Sequence, residues 1–361
     1  MDVAQYQVWV EDDSYNKVAF VRYFARLEYT QALNDVGYAT LEMHPEDDKI
    51  SELLLGRRLK IIRDGEIVFG GRLLREGWKK PTTAPAGETW AVTALDHADY
   101  ARARIAVPAS GQEYQTYTDH ADDVAKKFVY YNLGAGADAA RQFSDVSVEA
   151  DEHAAASLTY NARYTIILSV LQELADAGGF AWRFVPTASG CEFRTALNWG
   201  LDRTKGNGVN DEFVMSADRR TFAEMGYARD ATALANYVYV GGQGEGANRT
   251  VVERSDSGSI STWKRREAFV DARQLSLTAS LQARGDAELA ARGVEIAIVG
   301  EPIFDSWKRA TPPTWDLGDI ITIYARQWGR EFSANAKITR LTVTVSADGL
   351  ETVKPVLEVI S

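Results

Sequence analysis

Through the first hundred residues, apolar positions recur at every second place. Tyr6, Val8 and Val10 alternate with polar neighbours until Asp12-Asp13-Ser14 breaks the run, and period two is that of a strand with one face buried. Val18, Phe20 and the stretch from Phe24 to Tyr29 continue the pattern. Asn34-Asp35-Val36-Gly37 predicts a turn, after which Ala39, Leu41 and Met43 alternate again. Leu59 and Ile61 run into Asp64-Gly65, and Ile67, Phe69, Gly71 and Leu73 follow. This spacing predicts a hairpin, because Asp-Gly tolerates the positive φ that a tight turn between strands requires. Pro81 to Gly87 reads as a loose loop, with Trp90, Val92 and Ala94 as the next strand.

Near Asp96 the period changes. Asp96 is placed to cap a short helix reaching Arg104. A second helix is predicted over His120–Asn132, with Asp119 as N-cap, Asp122 and Asp123 at its positive end, and Gly134 beyond the other. The clearest helix spans Thr165–Ala177. Ile167, Val170, Leu171 and Leu174 share one face, and Gly178-Gly179 stops it. Phe180, Trp182 and Phe184 then begin a hairpin that returns over Glu192–Leu197. From about Asp211 strands dominate: 237–240, 251–253, 294–299, 320–325, 336–345 and 352–360. Asp348-Gly349 links the last two, and Pro355 suits an edge strand. One helix intervenes over Thr278–Arg292. Its stripe of Leu281, Gly285 and Leu289 is thin, which places it on a surface or at an interface. The expected class is α+β and β-rich, in three regions: 1–100, 101–206 and 207–361.

Composition changes this picture little. The 361 residues are 45% hydrophobic and 25% charged, enough for a core, and 38 aromatic side chains (9 Trp, 16 Tyr and 13 Phe) favour strands. A net charge of -11 disfavours general nucleic-acid binding. Lys264-Arg265-Arg266 and Arg57-Arg58 read as solvated faces. Cys191 is the single cysteine, so no internal disulfide forms, and it reads as a small strand residue. The N-terminus lacks the basic and apolar regions of a secretory signal, and the apolar stretch Ile166–Leu171 is too short to span a bilayer, so folding in a cytoplasm is expected.

The candidates for chemistry are weak. Gly242-Gln243-Gly244-Glu245-Gly246-Ala247 has the letters of a dinucleotide fingerprint, but the residues after it read as strand and offer no helix N-terminus to a pyrophosphate. His44, His97, His120 and His153 show no metal-ligand spacing. Asp96-His97-Ala98-Asp99 and Asp119-His120-Ala121-Asp122-Asp123 are better explained as helix starts, and Asp151-Glu152-His153 as a solvated loop. No nucleophile elbow occurs. Carboxylates are abundant, yet none is singled out as half of a glycosidase pair. Trp78, Trp90, Trp182, Trp199, Trp263, Trp307, Trp315 and Trp328 could stack on sugars, but core or subunit-contact roles are simpler. No catalytic, cofactor-binding or metal-binding residue is expected.

Several segments together resemble a known family. They are Leu27–Thr30 with Leu33–Gly37, Ala137–Phe143, Asn161–Tyr164, Val170–Gly179, Asp202–Asn210, Leu234–Gly246, Arg265–Glu267 and Phe269–Arg273. In this order they resemble the ReqiPepy-type siphophage minor tail proteins, which are similar to the hub part of tail-associated lysins and to the central hub of contractile-phage baseplates. The resemblance implies a virion tail protein, assembled in the host cytoplasm. It implies a homotrimer whose protomers carry two tube-like β-barrel domains, 1–100 and 207–361, around an α+β middle. Implied neighbours are the distal tail or tail tube protein, the tape measure protein and tail fibre or tip proteins. DNA would pass without specific binding, and this chain would not insert into a membrane. Longer relatives carry a C-terminal lysin or receptor-binding module; ending at Ser361, this chain is expected to lack one and not to be an enzyme. The alternatives are a tail-borne cell-wall hydrolase and a carbohydrate-binding module.

Overall fold

The computed structural model describes residues 4–79, 87–216, 222–302, 315–327 and 329–360. Most of the loop expected after Pro81, and Trp307 and Trp328, lie outside them. The alternating N-terminal region forms β1 (Tyr6–Glu11), β2 (Lys17–Val21), β3 (Arg26–Ala32), β4 (Tyr38–Met43), β5 (Arg58–Arg63), β6 (Glu66–Lys79) and β7 (Thr89–Asp96). Asp64 and Gly65 take φ of 49° and 89° between β5 and β6, the left-handed pair expected of an Asp-Gly turn.

The middle region holds α1 (Asp99–Arg102), β8 (Gln115–His120), α2 (Ala121–Asn132), β9 (Val146–Val148), β10 (Ser157–Ala162), α3 (Ile167–Gly178), β11 (Ala181–Thr187) and β12 (Gly190–Ala196). α3 ends as predicted, with Gly179 at φ 66° donating to Ala175 O. α1 is a single turn, shorter than expected, although Asp96 Oδ1 does accept from Ala98 N at 3.0 Å. The N-cap of α2 is His120 rather than Asp119.

Then follow β13 (Asp202–Arg203), β14 (Val214–Ser216), β15 (Phe222–Asp230), β16 (Tyr237–Gly241), β17 (Val251–Ser255), α4 (Ser257–Trp263), β18 (Glu267–Asp271), α5 (Thr278–Ala291), β19 (Glu295–Pro302), β20 (Ile320–Gln327), β21 (Arg330–Ser346) and β22 (Glu351–Ile360). α4 was not evident in the apolar pattern. It is nucleated by its cap, Asp256, which accepts from Ser259 N.

One 12-stranded sheet dominates, in the order β13-β20-β21-β3-β4-β7-β6-β5-β1-β2, with β14 on β20 and β22 on β21. Its central joint is the antiparallel pairing of β3 with β21, which sets Tyr29 opposite Val343 and ties the two ends of the chain together. β20 pairs with residues 330–337 of β21 and β3 with 340–346, so both lie along one side of it while β22 takes the other. Pro355 sits on β22, where a missing N–H costs least. Among the described residues the sheet is open: β2 does not meet β13 or β14.

Among the described residues two apolar cores result. The sheet core gathers Val10, Leu41, Ile61 and Val92 with Trp315, Ile321, Leu341 and Val353. The helical core gathers Phe128, Leu171, Leu174 and Phe193 with Val238, Val240, Leu275 and Leu281. The chain after residue 207 therefore divides between them. β11 stands at the boundary: Ala181 faces the sheet core and Trp182, its neighbour, the helical core, as the alternation of a strand demands. α5 contributes Leu281 and close-packed Gly285 to the helical core and leaves its other face exposed.

Candidate functional site

Between the sheet and the helical region runs a buried polar seam. Asp145 Oδ2 receives Arg58 Nη1 at 2.7 Å, Tyr15 Oη at 2.5 Å and Tyr100 Oη at 2.9 Å. Burial alone would raise the Asp145 carboxyl, but Tyr15 and Arg58 hold it below the usual carboxylate range. The Arg58 guanidinium also covers the Tyr15 ring, 4.1 Å from its centroid. Beside it Lys60 Nζ donates to Glu11 Oε1 at 2.7 Å and to Ala188 O at 2.6 Å. The reading of Arg57-Arg58 as a solvated face is thus corrected at Arg58, which is 5% exposed. Its partner Asp145 is remote in sequence, so no local pattern announces the burial. Lys264-Arg265-Arg266 is exposed as expected. His97 lies in the same seam with its Nδ1 unpartnered, and burial lowers its pKa to about 4. Cys191 is buried in β12 beneath the seam.

A second buried cluster joins the first strand to the last. Arg63 Nε and Nη2 meet Glu351 Oε1 and Oε2 at 2.7 and 2.9 Å, and Tyr6 Oη donates to the same carboxylate. These clusters hold elements together.

Among the described residues, clefts open on the surface at two places that bear on function. One, of about 390 Å³, is lined by Asn34, Gln172, Asp176, Lys337, Thr339 and Glu358. Burial raises the Asp176 carboxyl and lowers the Lys337 ammonium. The other, of about 260 Å³, runs along the far ends of β6 and β7, where 65%-exposed Trp78 stands opposite Trp90. Trp182 and Trp315 are fully buried and Trp263 is exposed.

The glycine-rich loop follows β16 and leads through a short 3-10 turn, Gly246–Asn248, into β17. Gly244 has φ 107°, and a Cβ there would lie 2.5 Å from Asn248 O. Arg249 Nη2 and Nε donate to Gly241 O and Gly242 O. Gly241, Gly242 and Gly244 leave room for close neighbours that a Cβ would strike, and among the described residues only this single 3-10 turn, not an α-helix, opens from the loop.

Among the described residues, one group of side chains could share a metal ion: Asp119, His120 and His153. The sequence placed the first two at a helix start and the third in a solvated loop. Folding brings them together because Asp122 and Asp123 do more than face the helix dipole. Both are buried, and their carboxylates accept the backbone N–H groups of 152–155, pinning that loop over the start of α2.

Solved structures similar to this fold include tail proteins. The chain is similar to the tail protein from Neisseria meningitidis MC58, with a TM-score of 0.62 at 16% identity over 99% of this chain and 96% of that one. It is also similar to the 43 kDa tail protein of prophage MuSo2 from Shewanella oneidensis, with 0.61 at 10% identity over 99% and 98%. Prophage tail protein gp18 from Listeria monocytogenes EGD-e gives 0.60 at 11% identity over 97% and 94%. At these identities the likeness is one of fold. The chain belongs to the Siphovirus ReqiPepy6 Gp37-like protein family, whose profile matches residues 5–357, and it is a component of the virion tail. Curated protein sequences include no match to it. No helix among the described residues is long and apolar enough to cross a membrane.

Proposed function

We propose that this chain is the structural hub at the distal end of the tail tube. In this reading it is a homotrimer. Each protomer offers two tube-like β-rich regions, 1–100 and 207–361, around the α+β region 101–206. Three protomers then present six such regions to a sixfold tube, and the ring closes the conduit before genome release. A closed ring needs the same patches on every subunit. The neighbours are the distal tail or tube protein, the tape measure protein and fibre or tip proteins, and DNA passes without specific binding. The observation that carries the reading is family membership over nearly the whole chain. The pairing of β3 with β21 supports it, because a part under load gains from having both ends of its chain in one sheet.

The hub works without catalysis. The rival reading, a cell-wall hydrolase, draws on one feature: Asp176 and Glu358 line the same cleft, and Asp176 is raised. Light scattering over a concentration range tests the hub. One chain weighs 39.9 kDa, so the expected mass is three times that, and a protein monomeric both alone and in assembled tails contradicts the reading.

A further inference from the structure

We propose that Asp119, His120 and His153 form a binding site for a borderline divalent cation of the zinc class. One ligand atom from each residue lies within 4.8 Å of the other two, and the two imidazole rings are 5.3 Å apart at 49°. Small rotations close such a set to the roughly 2.0–2.2 Å bonds that nitrogen and carboxylate ligands make to zinc.

The surroundings of the rings carry the inference further than proximity does. His120 Nδ1 faces the carbonyl oxygen of Ala155. A carbonyl only accepts, so Nδ1 bears the proton and Nε2 keeps its lone pair. His153 Nδ1 lies 2.5 Å from Oδ2 of Asp123, a fully buried carboxylate. This Nδ1 is also 3.9 Å from Asp119 Oδ1, and with its proton directed to Asp123 the imidazole keeps the Nε2 lone pair for a metal. A backbone carbonyl on one imidazole and a carboxylate on the other are the outer partners that orient metal-bound histidines and raise their basicity. Asp123 also accepts from Glu152 N and His153 N, so it fixes the loop and the ring together.

Charge favours a cation here. Segments 119–127 and 149–153 carry six carboxylates (Asp119, Asp122, Asp123, Glu149, Asp151, Glu152) against Lys126 and Lys127, an excess of four negative charges. That excess outweighs the half positive charge, roughly, of one helix N-terminus. Lys127 pairs with Asp119 Oδ2, but each carboxylate oxygen has a second lone pair, and the lysine is 30% exposed and can turn away. Two imidazoles and one carboxylate suit zinc, nickel or cobalt rather than calcium or magnesium, which take all-oxygen shells. The bound ion would staple the 151–155 loop to the start of α2.

The full chain, freed of metal by chelation, is titrated with Zn²⁺ by calorimetry and with Co²⁺ by visible absorption. The expected result is one equivalent per chain. His120→Gln and His153→Ala should each weaken it by more than about 100-fold, beyond the roughly 10–100-fold seen for outer partners, while His44→Gln leaves it unchanged. X-ray absorption of the zinc-loaded wild type should show two imidazoles, a readout that stands even if a variant misfolds. Absence of saturable binding, binding that survives both histidine changes, or a spectrum without imidazole overturns the proposal.

Discussion

Two ion pairs in this protein have nearly the same geometry and should differ several-fold in what they contribute. Arg63 meets Glu351 through two bonds of 2.7 and 2.9 Å, with side chains 4% and 0% exposed. Arg254 meets Asp286 through two bonds of 2.6 and 2.9 Å, with side chains 38% and 51% exposed. Glu351→Ala leaves the buried Arg63 guanidinium with only half-exposed Asp64, 3.1 Å from Nη1, and takes the carboxylate from Tyr6, whose hydroxyl keeps only Tyr29 Oη at 3.4 Å. Breaking a buried pair from one side costs about 3–5 kcal/mol. Asp286→Ala leaves Arg254 in solvent, and an exposed pair contributes only about 0–1 kcal/mol. The double change Arg63→Met with Glu351→Leu should recover most of the loss, because the cost lies in the unpaired charge and not in missing attraction. Urea unfolding followed by circular dichroism measures all three, and the shift should fall on the transition of the sheet core. A cost for Glu351→Ala no greater than that of Asp286→Ala, or a double variant as unstable as the single, would contradict this.

Other expectations follow from the same structure. His97 is held neutral with its pKa near 4, below the unfolded value of 6.5. The unfolded chain therefore binds the extra proton first as pH falls, so stability present above pH 6.5 is lost down to pH 4, by about 3 kcal/mol at 1.36 kcal/mol per unit. The stability of His97→Leu relative to wild type should rise across that window; a constant difference would contradict the assignment. Gly71→Ala should destabilise by at least about 1–3 kcal/mol, because its Cβ would lie 2.0 Å from Leu95 O, a backbone atom that cannot turn aside; a neutral result in thermal melts would show that β6 and β7 can part. Purified protein should not release fragments from host cell wall, and turnover lost in Asp176→Asn or Glu358→Gln would favour the hydrolase. Calorimetry with NAD or ATP should show no binding at the glycine-rich loop, and saturable binding abolished by Gly244→Val would refute that.

Local features were legible in the sequence where one short segment contains both the signal and its cause. The Asp64-Gly65 turn and the Gly179 stop of α3 are such cases, since a positive φ is a property of the residue itself. The extent of β22 and the C-terminal part of β21 were readable from alternation, although β21 begins at Arg330 and not at the expected 336. Their partners were not: the joining of β3 to β21 depends on register between segments some three hundred residues apart, which no window contains. Burial of Arg58 depends on Asp145 in the same way, and the meeting of His120 with His153 depends on two aspartates reaching across to another loop. α4 was missed because its signal is a cap at Asp256 over a polar Ser-Gly-Ser run, with little apolar period to see. The family resemblance supplied what periodicity could not, a tail protein.

The hub assignment stands or falls on position and copy number in the particle. An image reconstruction of the assembled tail viewed down its axis, with this chain identified by antibody or tag, tests both at once. The account predicts three copies in a closed ring at the distal end of the tube, with six β-rich regions facing the last tube ring. Six copies, copies spread along the tube, or a location away from the axis would contradict it.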